Sequence, residues 1–261
     1  MGDLVAKEII DEPAWIGSYL LPKGGRLLFG GETKCGKSFL LLELARALSL
    51  VHPPFACDLF PVNDGARVLV VEQELGEKGL QDRVRRIFSD SSTGDRLWYV
   101  SKVPQIQLNS MEGRDLLCRL IDQTECNVLM LDPIGKCHTY DENSNTDIAR
   151  LWSHLETIQW QYRAESLSLV ISHHFGKPST DPKYVRDPLD INNFRGASKW
   201  ISDPDTIVAV QKLGAIVGPH KAWRLKVGFT LRHGEELPPM ILTVNRDDDR
   251  RVLFEKFAGE K

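Results

Sequence analysis

Apolar residues in this chain gather into short, nearly continuous runs separated by longer stretches with a helical period. The runs are Arg26-Leu27-Leu28-Phe29-Gly30, Arg67-Val68-Leu69-Val70-Val71, Leu97-Trp98-Tyr99-Val100, Asn127-Val128-Leu129-Met130-Leu131-Asp132 and Leu167-Ser168-Leu169-Val170-Ile171. Runs that are apolar at consecutive positions predict strands buried on both faces, as in a parallel sheet covered by helices. Between them, Phe39 to Leu50, the segment carrying Arg83, Arg85 and Arg86, Arg114 to Gln123, and Ser144 to about Arg163 predict helices. Ser144 with Asp147 has the pattern of a capping box. Beyond these the pattern changes. Thr206 to Val210, Trp223 to Phe229, Met240 to Val244 and Val252 to Phe254 predict strands separated by turns, with no stretch of helical period among them. The expected fold class is α/β: a mostly parallel sheet flanked by helices, with a C-terminal antiparallel strand extension.

The expected organisation is a lead-in segment over 1–25 and one domain over 26–261, whose β-rich extension starts at about 206. In the lead-in, Trp15, Ile16, Leu20 and Leu21 are expected to pack on the core, and Lys23-Gly24-Gly25 turns the chain into the first strand. A length of 261 residues suits such a single large domain. The formal charge of −3 gives no global positive field, so any contact with nucleic acid has to be local. The 5 cysteines are scattered, with no C-x-x-C pair, which reads as reduced thiols in a cytoplasmic protein. No signal peptide is evident, and no apolar run approaches the roughly 18 residues of a membrane helix.

The chemistry centres on Gly31-Glu32-Thr33-Lys34-Cys35-Gly36-Lys37-Ser38, which reads G-x-x-x-x-G-K-S and lies between a predicted strand and a predicted helix. That is the context of a phosphate-binding P-loop. Gly31 and Gly36 let consecutive N–H groups turn inward, and the following helix adds its positive end. Lys37 is expected to reach the β- and γ-phosphates of ATP, and the Ser38 hydroxyl to ligate Mg2+. Asp132 ends a later apolar strand, where an acid can hold Mg2+ or its water. Position 133 is Pro133, so no second acid follows Asp132. The general base is therefore expected at Glu72 or Glu74, on the strand after the P-loop helix, and strand alternation places both on one side. His173 and His174 close the strand after that of Asp132, where a polar side chain can sense the γ-phosphate. Lys136, Lys177, Lys183, Arg186 and Arg195 lie in or beside the loops after these strands and are candidates for contact with nucleic-acid phosphates. Acidic Asp181, Asp187 and Asp190 stand among them, so a solvated charged loop is the competing reading. Arg232, after the strand that begins at Trp223, is a candidate for neutralising transition-state charge at a neighbouring subunit, or a plain surface arginine.

The ordered set resembles a RecA-type P-loop ATPase and, more narrowly, the RepA-like hexameric replicative helicases of plasmids and phages, an AAA-family group. The likeness runs from about Trp15 to Leu242. It rests on Ala14-Trp15-Ile16 to Leu21-Pro22, the P-loop, Val71-Glu72-Gln73-Glu74 with Arg83, Leu131-Asp132-Pro133 followed by Asp141-Glu142-Asn143, Ser172-His173-His174 with Gly176-Lys177, Arg195-Gly196-Ala197-Ser198 and Arg232-His233-Gly234. The resemblance implies a RecA-like core, ATP and Mg2+ at subunit interfaces of a hexamer, and single-stranded DNA in a central channel, with replication or recombination proteins as partners. It assigns Lys37 and Ser38 to the Walker A pair, Asp132 to the Walker B acid, Glu74 to the catalytic glutamate, His173 to the γ-phosphate sensor and Arg232 to the arginine finger. Thr230 stands where such relatives often carry lysine, and the chain is too short for an added primase or hub domain. Two functions follow as expectations: a ring-forming, ATP-hydrolysing DNA helicase, or a nucleotide-gated DNA-binding ATPase of the recombination-mediator kind that does not unwind. A small-molecule kinase fits less well, because no arginine-rich lid segment is evident.

Overall fold

The computed structural model describes residues 14–17, 19–88, 94–176, 187, 189–194, 196–215, 222–232, 234, 236–246 and 252–256. Its strands are β1 (Arg26–Gly31), β2 (Val68–Glu72), β3 (Leu97–Ser101), β4 (Val128–Asp132), β5 (Ser168–His174), β6 (Thr206–Ala215), β7 (Trp223–Leu231), β8 (Met240–Arg246) and β9 (Val252–Lys256). Its helices are α1 (Lys37–Leu50), α2 (Glu77–Phe88), α3 (Met111–Thr124), α4 (Asn145–Gln161) and the single turn α5 (Lys199–Ser202).

The apolar runs become strands because both of their faces are covered. Successive side chains of a strand point to opposite faces, and each face here meets its own helices. Leu27, Phe29, Val68, Val70, Val128, Met130 and Val170 pack with Leu40, Leu44 and Leu48 of α1 and Ile87 and Phe88 of α2. Leu28, Leu69, Val71, Leu129, Leu131 and Ile171 pack with Leu117 and Ile121 of α3 and Leu151 and Leu155 of α4. The result is one sheet of 9 strands in the order β3-β2-β4-β5-β1-β6-β7-β8-β9. Every pair from β3 through β6 is parallel, and every pair from β6 through β9 antiparallel.

The parallel sheet thus extends one strand further than the sequence pattern suggests. Thr206 pairs with Leu27 in parallel register, so β6 belongs with β1 and the antiparallel part begins at Trp223. The reason lies in the connection. After β5 the chain returns to the N-terminal edge of the sheet, where the Asp205 N–H donates to the Arg26 carbonyl (2.9 Å), and β6 starts level with β1. The lead-in packs as expected. Ile16 bridges to Leu21 and Val62, and the Trp15 indole N–H donates to Ser168 Oγ (3.0 Å). The capping box before α4 is only half formed. Ser144 Oγ accepts from the Asp147 N–H (3.2 Å), but the Asp147 carboxylate accepts from the Asp141 N–H (3.3 Å) instead of turning back to Ser144.

In this topology Gly31, Glu72, Asp132 and His174 all end parallel strands at one edge of the sheet. α1 leaves that same edge.

Candidate active site

The site is built on the turn from β1 into α1. Gly31 has no room for a side chain, since a Cβ there would lie 2.6 Å from the Val210 carbonyl oxygen and 2.7 Å from Cys35 Sγ. Gly36 sits at φ 109°, in the region where side chains are strained, and Lys34 adopts φ 62°. Gly36 is also the N-cap of α1. It offers no side-chain cap, and the first turn carries no acidic residue. The positive end of a 14-residue helix is therefore left to whatever the loop holds, which suits an anion. Glu32, Thr33 and Lys34 are exposed, Cys35 is buried, and Ser38 is half-buried on the first turn of α1.

Lys37 is buried. Its ammonium donates to the carbonyls of Gly31 (2.9 Å) and Glu32 (2.8 Å) and lies 3.3 Å from His174 Nδ1. An ammonium has three protons, so all three have partners within the loop and β5. Burial lowers the Lys37 pKa, while Cys35, Asp132 and Glu74 work against that. The lysine stands where phosphate oxygens would meet it and must exchange its carbonyl partners to bind them.

Asp132 is buried at the end of β4, and its Oδ1 accepts from the Ser172 hydroxyl on β5. It is the register partner of Glu72 on β2. Among the described residues no cluster of three or more His, Cys, Asp or Glu could hold a metal alone. Ser38 and Asp132 fit Mg2+ only as that ion is usually held with nucleotides, by one or two protein oxygens plus phosphates and water.

The two candidate bases separate. β2 ends at Glu72, and the two acids differ in what they meet rather than in side: Glu72 has the parity of Val68 and Val70, which pack toward α1, and Glu74 lies beside His174, near Lys37. Glu72 is buried and fully engaged. Its Oε1 accepts from the N–H groups of Glu74 (2.6 Å) and Leu75 (3.0 Å), and its Oε2 pairs with Arg83 (3.2 Å). Burial, with Asp132 nearby, pushes its pKa up against those stabilising contacts. Glu74 has a half-exposed carboxylate 3.9 Å from His174 Nε2. Glu72 thus shapes the turn, and Glu74 faces the space beside Lys37.

The two histidines separate as well, in the opposite sense to the expectation. His173 is buried on the far face of the sheet, stacked on Trp200 (ring centroids 4.3 Å apart) and near-parallel to Phe194 (6.1 Å). It does not face the P-loop. His174 does, between Lys37 and Glu74. Burial and the Lys37 charge lower the His174 pKa, so near neutral pH its ring is uncharged. The parity was legible: Val170 packs toward α1, so residues 172 and 174 do too, and residue 173 cannot.

Arg232 lies just past β7, at the N-terminal edge of the sheet, since Leu231 pairs with Thr206 and Thr206 with Leu27. That is the edge opposite its own P-loop. Its guanidinium pairs with Asp205 (3.7 Å) and donates to the Ser202 carbonyl. Lys136 is exposed in the turn after β4, at the P-loop edge. Lys177, Lys183, Arg186 and Arg195 lie outside the described residues. Two residues at the site were given no chemical role by the sequence: Ser172, which holds Asp132, and Trp223, at the start of β7 beside Gly36.

A family model described as an AAA domain matches residues 3–180 of the chain, from the lead-in through the P-loop, Glu74 and Asp132 to the end of β5. No curated protein matches the chain.

Proposed function

The chain belongs to the AAA domain family and is an ATPase of the P-loop kind; from that premise we propose that it hydrolyses Mg-ATP as a ring-forming DNA motor of the replicative helicase type. The observation that carries the hydrolytic part is the convergence of Lys37, His174, Glu74 and Asp132 on one loop, from four neighbouring elements. Lys37 neutralises the β- and γ-phosphates once it leaves the Gly31 and Glu32 carbonyls. Ser38 and Asp132 hold Mg2+, which when bound supplies positive charge to the phosphate oxygens. Glu74 takes a proton from the attacking water as its oxygen bonds to the γ-phosphorus and the bond to the leaving ADP oxygen breaks. His174, neutral and within reach of both Lys37 and Glu74, is placed to sense the γ-phosphate and hand its loss to the loop after β5.

The motor reading has separate support. Arg232 is at the wrong edge of the sheet to serve its own P-loop, so an arginine finger here has to act on the next subunit of a homo-oligomer, a hexamer by the family resemblance. Lys136 stands at the P-loop edge, where single-stranded DNA would be gripped in step with hydrolysis.

The test is ATP turnover with and without single-stranded DNA. Glu74→Gln is expected to keep ATP binding and lose turnover by about 10²- to 10⁴-fold. Lys37→Ala is expected to lose both, and DNA to raise the wild-type rate. Unchanged turnover in Glu74→Gln would remove the base assignment. A strand-displacement assay then distinguishes a motor from a nucleotide-gated DNA binder.

A further inference from the structure

The groups that would meet the terminal phosphate all stand on one side of β1. Glu74 follows β2, Asp132 ends β4 and His174 ends β5, and these strands run outward from β1 in the order β5, β4, β2. On the other side of β1 lie β6 and β7. A nucleotide with its γ-phosphate among Glu74, Asp132 and His174 therefore extends its nucleoside across the N-terminus of α1, toward β6 and β7.

Trp223 stands there. Its indole nitrogen is 4.0 Å from where a Cβ on Gly36 would be, which places it against the second glycine of the P-loop. Its ring is half-buried. It is held edge-on by Phe39 of α1, with centroids 6.3 Å apart and planes at 63°. The Lys212 ammonium of β6 lies 5.9 Å from its centroid. Leu225, two residues on, packs beneath Gly36. A large aromatic surface, fixed by a neighbouring ring and flanked by a cation, thus lies on the path of the nucleoside.

We propose that Trp223 is the platform on which the nucleotide base stacks, and that the site takes a purine nucleoside triphosphate. The inference rests on the ATP-hydrolysis reading and adds to it the residue that recognises the base. Stacking on an aromatic side chain favours the larger purine ring and needs no base-specific hydrogen bond. Lys212 adds positive charge beside the base and sugar without touching the γ-phosphate machinery.

The experiment compares the binding of ATP, CTP and inorganic triphosphate by the full chain in a Glu74→Gln background, with and without Trp223→Ala or Trp223→Phe. Trp223→Ala is expected to weaken ATP about 10- to 100-fold, to shrink the preference for ATP over CTP, and to leave inorganic triphosphate unchanged. Trp223→Phe is expected to stay near the parent for ATP. Inorganic triphosphate reports on the P-loop itself, so a variant that merely distorts the loop loses both ligands in parallel, and that result overturns the assignment. Unaltered ATP affinity in Trp223→Ala overturns it equally while leaving the hydrolytic reading intact. A parent protein that binds neither ATP nor triphosphate overturns the hydrolytic reading and this inference with it.

Discussion

Glu72 and Glu74 show how two identical side chains, two positions apart, take different work from their surroundings. Glu72 accepts two backbone N–H groups and an arginine in a buried position; Glu74 has its carboxylate half in solvent. Amidating Glu72 leaves Arg83 facing an amide and removes charge-assisted bonds, which costs about 1–3 kcal/mol. Amidating Glu74 removes no such bond and should shift stability by less than about 0.5 kcal/mol. Thermal melting of Glu72→Gln and Glu74→Gln tests this: Glu72→Gln is expected to melt several degrees lower, and Glu74→Gln with the wild type. The reverse order would exchange their roles. The sequence placed both acids correctly at the end of a buried strand. It could not separate them, because the distinction lies in Arg83, which comes back to Glu72 from the next helix.

Strand alternation and close approach govern the element scale. β5 delivers Ser172 and His174 to the P-loop face and His173 to the opposite one, where Trp200 and Phe194 receive it. The same far face presses on β1. A Cβ on Gly30 would run into the rings of Phe194 and Phe175, so β1 can carry no side chain at the position just before the P-loop. Gly30→Ala is therefore expected to lower stability by about 1–3 kcal/mol through overpacking, measured as a lower urea midpoint at unchanged slope. Adding Phe194→Leu should recover part of the loss by shortening the clashing ring. A Gly30→Ala protein as stable as the wild type would mean that the segment around Phe194 does not pack on β1. Nothing in the local pattern around Gly30 announces this, because Phe194 is distant in sequence.

At the scale of the whole molecule, the P-loop and Arg232 occupy opposite edges of one sheet. The proposed finger role of Arg232 therefore requires one edge to pair with the other edge of a second copy, a head-to-tail contact that closes into a ring if the rotation permits. Mixing two inactive variants checks this. Lys37→Ala keeps the arginine and Arg232→Ala keeps the P-loop, so assemblies containing both should regain ATP turnover where an intact arginine meets an intact loop. An Arg232→Ala protein that turns over normally alone, or a mixture that stays inactive, would rule out Arg232 as a finger. Arg232→Ala also loses its contacts to Asp205 and the Ser202 carbonyl, so its melting temperature has to be measured beside its rate.

What the sequence determined by itself was local. Continuous apolar runs can be buried only on both faces, and that predicted β1 to β4 within a residue or two of where they lie, while β5 runs three residues past its apolar run. The glycines and lysine of Gly31 to Ser38, between a buried run and a helical one, marked a phosphate-holding turn. The tertiary structure decided what depends on partners far along the chain. It put β6 beside β1, because the chain first returns to the N-terminal edge at Asp205. It chose His174 over His173, and it engaged Glu72 while leaving Glu74 open. It brought Trp223 against Gly36, across 187 positions of sequence. Each of these turns on which face a side chain meets and what already occupies it. That is a property of packing, which local periodicity and spacing do not contain.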